Sequence, residues 1–238
     1  MAARPEVLSS QACSKYSQER LGVFCTLSGE AKADFERWSR VVTLPSGAVL
    51  VREEDVVSQL FIVCSGRVKI SCTSKQGKTM SLKIVGPGEV IGLSSALAGS
   101  QSEICAKTIE PCTVNVLRSD DFLAFLERHG EASLIAAYAL AEECKSTFSG
   151  ARSLALSGSV AGRLAGLLLE WGKTSPSTGS CGLRFNMTLT HEDLAEFTGS
   201  CRETVTRALG KFQTDSLIEI RGTTVHILDP EKLAQFSV

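Results

Sequence analysis

Between residues 41 and 117 apolar and polar positions alternate in short runs broken by glycine: LPSGAVLV, LFIVCSGRVKISCT, MSLKIVGPGEVIG, SEICAKTI and CTVNVLR. Alternation puts every second side chain on one face, so each run predicts a strand, and strands this short with glycine turns predict an antiparallel barrel or jelly roll. A short helix around residues 30–40 precedes them. Beyond residue 117 the period becomes helical. Ser119-Asp-Asp-Phe opens a helix with serine as its cap, and a break at His129-Gly130 leads into a longer helix over residues 131–156. Its small and apolar positions Ala137, Ala141, Cys144, Phe148, Ala151 and Ala155 step by four and three, the spacing of a coiled-coil seam. Small residues on a seam let two helices approach closely, so this is a candidate dimer helix. A further amphipathic helix covers 159–172, and KTSPSTGSCG at 173–182 is a turn-rich connection.

The segment LTHEDLAEFTGSCRETVTRALGKF, residues 189–212, has the pattern of two short helices around a tight turn. Thr190 with Asp193 three residues on forms a capping box, and Leu194, Ala195 and Phe197 supply the first helix with its apolar face. Gly199 suits the left-handed turn. Ser200-x-x-Glu203 is a second capping pattern, opening a helix whose apolar side is Val205, Ala208, Leu209 and Phe212. The opposite side carries Arg202, Glu203, Thr206, Arg207 and Lys211. An arginine fork matches the two acceptors of guanine, and a glutamate accepts from the cytosine amino group. A carboxylate facing DNA is a liability among phosphates unless it reads a base. Arg202, Glu203 and Arg207 are therefore candidate base readers in a major groove; a solvated face with a Glu203–Arg207 pair at i, i+4 is the alternative. Residues 217–227 alternate and turn at Arg221-Gly222, a small hairpin or wing whose tip would set Arg221 near a phosphate.

Net charge is −1 over 238 residues, so DNA binding must rest on a local patch. No signal peptide or apolar run near the ~20 residues of a spanning helix is present; the chain reads as cytoplasmic. The nine cysteines then act as small apolar residues, ligands or redox groups rather than disulfides. The three histidines, His129, His191 and His226, are not in ligand spacing. No nucleophile elbow, P-loop or metal-hydrolase spacing occurs, and His191-Glu192-Asp193 lies in a helix first turn where polar residues are favoured, so an enzyme is not indicated.

The organisation is thus an irregular, Cys-containing leader (1–28), a barrel domain (29–130), a dimerisation helix (131–157) and a winged helix-turn-helix (158–238). From about Cys25 to the C-terminus the chain resembles the CRP/FNR family of bacterial transcription regulators, on SGRVKI at 65–70, PGEVIGL at 87–93 and SCRETVTRALGKF at 200–212. The resemblance implies an α+β chain: a cyclic-nucleotide-binding-like β-barrel, a long dimerisation helix and a C-terminal winged helix-turn-helix. It implies a homodimer on double-stranded DNA with RNA polymerase as a further partner. Arg202, Glu203 and Arg207 match the positions that read TGTGA-type half-sites; the family's other branch, with Glu-x-x-Ser-Arg, reads TTGAT, and Thr206 in place of its Ser together with the extra Arg202 favours the first. Thr190, Cys201, Thr206 and Arg221 match or adjoin positions that meet phosphates.

The family's cyclic nucleotide site depends on a Glu after the PGE-type turn and an Arg-Ser pair further on. Here Leu93 replaces the Glu, and SQSEIC at 100–105 offers Glu103 and no arginine, so cAMP is disfavoured. Some family members carry an oxygen-labile 4Fe-4S cluster on three N-terminal cysteines and one in the barrel. Cys13, Cys25 and Cys112, or Cys105 in place of the last, are the candidate ligands, thiolates being the soft donors such a cluster takes. The tight C-x2-C step is missing, since Tyr16 stands three after Cys13. A cluster with a non-cysteine fourth ligand, a thiol redox switch and a lost site all stay open. The blandest reading of Cys64, Cys72, Cys105, Cys112 and Cys144 is as core residues, and a leader has little core to join.

Overall fold

The computed structural model describes residues 7–8, 24, 26–174 and 183–237 and divides the chain into two compact units, 1–146 and 147–238. The first unit contains β1 (Val7–Leu8), α1 (Gly29–Trp38), β2 (Arg40–Leu44), β3 (Val49–Val51), β4 (Gln59–Ser65), β5 (Val68–Thr73), β6 (Thr79–Val85), β7 (Val90–Ile91), α2 (Leu93–Ala98), β8 (Cys105–Thr108), β9 (Cys112–Arg118) and α3 (Ser119–Arg128). Two antiparallel sheets face each other, ordered β1-β2-β9-β4-β7 and β3-β8-β5-β6. Alternation along β4 explains the layering. Phe61 and Val63 pair with Val116 and Val114 and face the space between the sheets, where Val68, Ile70, Val85 and Ala106 complete one core. Leu60 and Ile62 point the other way and join Leu117, Phe35, Phe122 and Phe125 in a second core under the helices. Strand β9 has helices on one face and the second sheet on the other, so Cys112 through Leu117 are all buried.

Gly66, in the β4–β5 turn, has φ 83°, and a Cβ there would meet the Pro111 carbonyl oxygen at 2.5 Å and Cys112 Sγ at 2.6 Å. Both the dihedral and the close approach require glycine. The neighbouring Arg67 holds Glu110 through two bonds of 3.0 Å.

Three local expectations are corrected. Ser119 lies inside α3, not at its cap, because its hydroxyl is buried and donates to the Val57 carbonyl at 2.7 Å. The leader is not wholly irregular: Val7 and Leu8 pair with Val42 and Val41 at the edge of the first sheet. It also has a core to join, since Phe24 is buried, stacks on Phe35 at 5.8 Å and meets Phe122 edge-on.

The long helix α4 (Gly130–Leu156) begins where α3 ends, at His129. Its start is tied to α1 twice. Glu131 accepts from the backbone N–H and hydroxyl of Ser28, and His129 Nε2 lies 3.1 Å from Asp34 Oδ2. Ala137, Ala141, Cys144, Phe148 and Ala151 are all exposed. So are Leu134 (58%), Tyr138 (64%) and Leu156 (72%), while Phe148 reaches 71%.

The second unit contains α5 (Val160–Thr174), β10 (Leu183–Asn186), α6 (His191–Thr198), α7 (Arg202–Thr214), β11 (Ile218–Arg221), β12 (Thr224–Ile227) and α8 (Pro230–Ala234), followed by a 3-10 turn at Gln235–Ser237. The sheet order is β10-β12-β11. Of the turn-rich connection, residues 175–182 lie outside the described residues.

Candidate DNA-reading surface

Helix α6 starts as its sequence requires. Thr190 Oγ1 accepts from the Asp193 N–H at 3.1 Å, and Asp193 Oδ2 accepts from the Thr190 N–H at 2.9 Å. It ends at Gly199, φ 60°, where the Ser200 N–H closes on the Ala195 carbonyl at 2.9 Å. That bond commits Ser200 to the turn, and its hydroxyl lies 2.9 Å from Thr198 Oγ1. The cap of α7 is therefore Cys201, not Ser200.

Sequence reasoning missed the supports beneath the turn. Arg163 of α5 donates to the Thr198 carbonyl at 2.8 Å and to Ser157 at 3.0 Å, placing a cation at the C-terminal end of α6, where the helix dipole is negative. Trp171 packs edge-on to Phe185 of β10 and Phe197 of α6, with centroids 6.3 and 5.6 Å away. No local pattern announces either support, because each joins residues far apart in sequence.

Val205, Ala208, Leu209 and Phe212 of α7 are buried, as their spacing predicts. Arg202, Glu203, Thr206, Arg207 and Lys211 are exposed on the other side. The Glu203–Arg207 ion pair is not formed among the described residues. Glu203 is held instead by its own backbone N–H and then by the Cys201 thiol, and with the Arg202 charge nearby its carboxyl sits below the usual range. It is thus an ionised acceptor at neutral pH, the state that cytosine recognition needs. Lys211 lies over the Phe236 ring at 5.5 Å.

The phosphate-contact candidates differ among themselves. Thr190 and Cys201 are exposed at the amino ends of the two helices. Arg221 ends β11 beside the Gly222-Thr223 turn, 81% exposed and 2.7 Å from Glu219, an exposed pair of small energetic weight that a phosphate displaces readily. Thr206 is exposed on α7. Its hydroxyl lies 2.9 Å from the Arg202 carbonyl oxygen and 2.8 Å from His191 Nδ1, so it has partners within the protein as well as an exposed position.

The sensory half gives a different result for the two implied groups. Leu93, standing where a ribose-binding Glu is implied, is 1% exposed and built into the helix-side core. Ser102 donates to the Ile104 carbonyl at 2.9 Å, and residues 92–105 contain no cation. These residues do not fit a cyclic phosphate. Cys112 is 1% exposed, its thiol 3.3 and 3.2 Å from the carbonyl oxygens of Arg67 and Glu110, and burial pushes its pKa up. An iron–sulfur ligand is a thiolate facing its cluster; a sealed thiol between two carbonyls does not fit. Cys13 and Cys25 lie outside the described residues, and no three His, Cys, Asp or Glu converge as a metal site among those described. Cys64 is buried, Cys72 and Cys105 are half-buried, and Cys144, against the core reading, is exposed with Cys201. A short iodoacetamide pulse at mildly alkaline pH should label Cys201 in the folded protein and Cys112 only after denaturation, read by peptide mass spectrometry. Equal native labelling of both would show that the barrel opens around Cys112.

The first unit also has a cavity of about 250 Å3 lined by Lys83, Glu89, Val90, Leu93, Tyr138 and Glu142 among others. Lys83 and Glu89 face each other there at 3.5 Å.

Comparison with known proteins agrees with this architecture. Residues 41–129 match the family model for the cyclic nucleotide-binding domain, and residues 162–236 match that for the Crp-like helix-turn-helix domain. The chain is 28% identical over 216 residues to a CRP-like cAMP-activated global transcriptional regulator of Mycobacterium tuberculosis, covering 91% of this chain and 96% of that one. It is 26% identical to the anaerobic regulatory protein of Bacillus subtilis, covering 72% of each. FixK2 from Bradyrhizobium japonicum shares the fold with a TM-score of 0.75 at 17% identity, over 84% of this chain and 98% of that one. A CooA mutant from Carboxydothermus hydrogenoformans does so with a TM-score of 0.76 at 20% identity, over 94% and 99%. A cyclic-nucleotide-binding-like barrel, a long helix and a Crp-like winged helix-turn-helix, in that order, place this chain in the CRP/FNR family of DNA-binding transcription regulators.

Proposed function

We propose that the protein is a homodimer reading a palindrome of TGTGA-type half-sites one helical turn apart, and that it acts at promoters through RNA polymerase. The observation that carries this is the reading face of α7: Arg202, Glu203 and Arg207 exposed together on the side opposite its buried residues. Two arginine forks suit guanines, and the carboxylate suits a cytosine. Thr190, Cys201 and Arg221 flank that face as backbone contacts, which position without specifying. The exposed seam of α4 supplies the second copy that a palindrome requires.

A gel-shift titration on the palindrome and on scrambled DNA at matched salt tests the reading. We expect the palindrome to bind tighter by about 10³-fold or more, the range of specific over non-specific binding. Equal affinities would overturn it.

Control, on this reading, belongs to a small effector other than cAMP. The residues at the cyclic phosphate position do not fit that anion, and Cys112 does not fit a cluster. The cavity against α4 offers an apolar floor at Val90 and Leu93 with Lys83, Glu89 and Glu142 as polar contacts.

A further inference from the structure

The cavity beside α4 has a composition that selects the charge of what enters it. Its helix side comes from one stripe of α4, Tyr138, Glu142 and Ser146 at four-residue steps, with Glu143 in the next row. Its barrel side includes Lys83 of β6, Glu89 just before β7, and the apolar pair Val90 and Leu93. None of residues 100–105, the position that the family resemblance gives to a cyclic phosphate, lines it. Glu89, Glu142 and Glu143 against Lys83 leave the lining with a formal excess of negative charge.

The lysine does not offset this for an incoming anion. Lys83 Nζ lies 3.5 Å from Glu89 Oε1, and Glu89 Oε2 accepts from the Gly86 N–H at 2.7 Å, which fixes that carboxylate in place. An anion reaching Lys83 would compete with Glu89 and then face the carboxylates of α4. Those two are held weakly. Glu143 lies 3.5 Å from the Ser94 hydroxyl, and Glu142 pairs at 3.4 Å with Lys145 where both side chains are largely exposed. A pair of that kind has small energetic weight, so an arriving cation replaces it readily. Tyr138 adds a ring, whose face attracts a cation. Val90 and Leu93 give an apolar body somewhere to rest. We propose that the cavity binds a small organic cation, an amine on an apolar body, with Glu142 and Glu143 meeting the ammonium. This rests on the reading that a small effector occupies the cavity, and it names the chemical class of that effector.

The test uses the full-length protein and three probes that share a phenyl body: phenethylamine, 2-phenylethanol and phenylacetate, which are cationic, neutral and anionic. Isothermal titration calorimetry at low salt gives each affinity. We expect phenethylamine to bind about tenfold tighter than the alcohol, the weight of an ammonium beside carboxylates and a ring, and phenylacetate to bind weakest. Glu142→Gln combined with Glu143→Gln should bring the amine/alcohol ratio close to one and leave the affinity for the alcohol unchanged. A merely structural role would weaken both probes alike. Tyr138→Leu, which keeps an apolar wall and loses the ring, should lower the ratio by a smaller factor. A ratio of one with the wild-type protein, tighter binding of phenylacetate, or an amine preference that survives the double substitution would overturn the inference while leaving the cavity as an effector site. No binding of any probe at millimolar concentration would overturn both. Amine binding that leaves affinity for the palindrome unchanged would uphold the inference and remove the cavity from control.

Discussion

Replacing Arg202 with alanine should weaken binding to the TGTGA palindrome by about 1–3 kcal/mol per half-site, and the loss should fall at a single guanine. The guanidinium stands exposed at the first position of α7, and no packing depends on it. The mutant should therefore fold normally and bind scrambled DNA nearly as well as before. Arg207→Ala should behave alike at a different guanine. Because the two share one helix face and Glu203 between them, the double mutant should not lose the plain sum. Arg221→Ala offers the contrast. On the proposed reading this wing-tip cation is a phosphate contact, so its loss should weaken binding to all sequences alike and lower the salt slope by about one. The measurement is a set of titrations at two or more salt concentrations against duplexes with single guanine replacements. An Arg202→Ala protein that weakens on every duplex equally, with a reduced salt slope, would make Arg202 a phosphate contact and not a reader.

The second large effect is expected on the seam of α4. Ala141→Glu introduces a carboxylate between Ala137 and Cys144, and twofold pairing of the helices brings it close to its own copy. Desolvated like charges repel strongly. We expect a dimer at micromolar concentration to become a monomer in sedimentation, and affinity for the palindrome to fall by about 10²–10⁴, the gain that two linked sites confer. Phe148→Asp should act the same way, since an aromatic ring 71% exposed along one chain contributes most by covering a partner. Neither residue supports its own chain, so thermal unfolding of the sensory barrel should change little. Persistence of the dimer in both variants would place the interface elsewhere.

The helices that carry these two candidate surfaces were legible in the chain for a common reason. The helices of the reading unit, their buried faces, the Thr190–Asp193 capping box and the α4 seam are all set by residues three or four positions apart, the range over which helical geometry acts. The alternation that marks strands is equally local, and it announced the barrel from residue 41 onward. It did not announce β10. LRFN is four residues long and becomes a strand only by pairing with β12, Leu183 opposite Ile227. No short-range pattern predicts a pairing across that distance.

The same limit explains the other corrections. Ser200 has the look of a helix cap, but the close of α6 claims its N–H and its hydroxyl contacts Thr198, which leaves the cap to Cys201. Ser119 also has that look, but a carbonyl on another segment, Val57, takes its hydroxyl. Leu93 shows in sequence that a carboxylate is missing; only packing shows that its side chain fills a core. Cys112 is a soft donor by chemistry, and only its two carbonyl neighbours show it to be a thiol. Periodicity and residue chemistry already determined the order of the barrel, the long helix and the winged helix-turn-helix, and which side of α7 is buried. Which polar groups remain available for work was decided by tertiary contacts, because hydrogen-bonding capacity is consumed by whichever groups folding brings within reach.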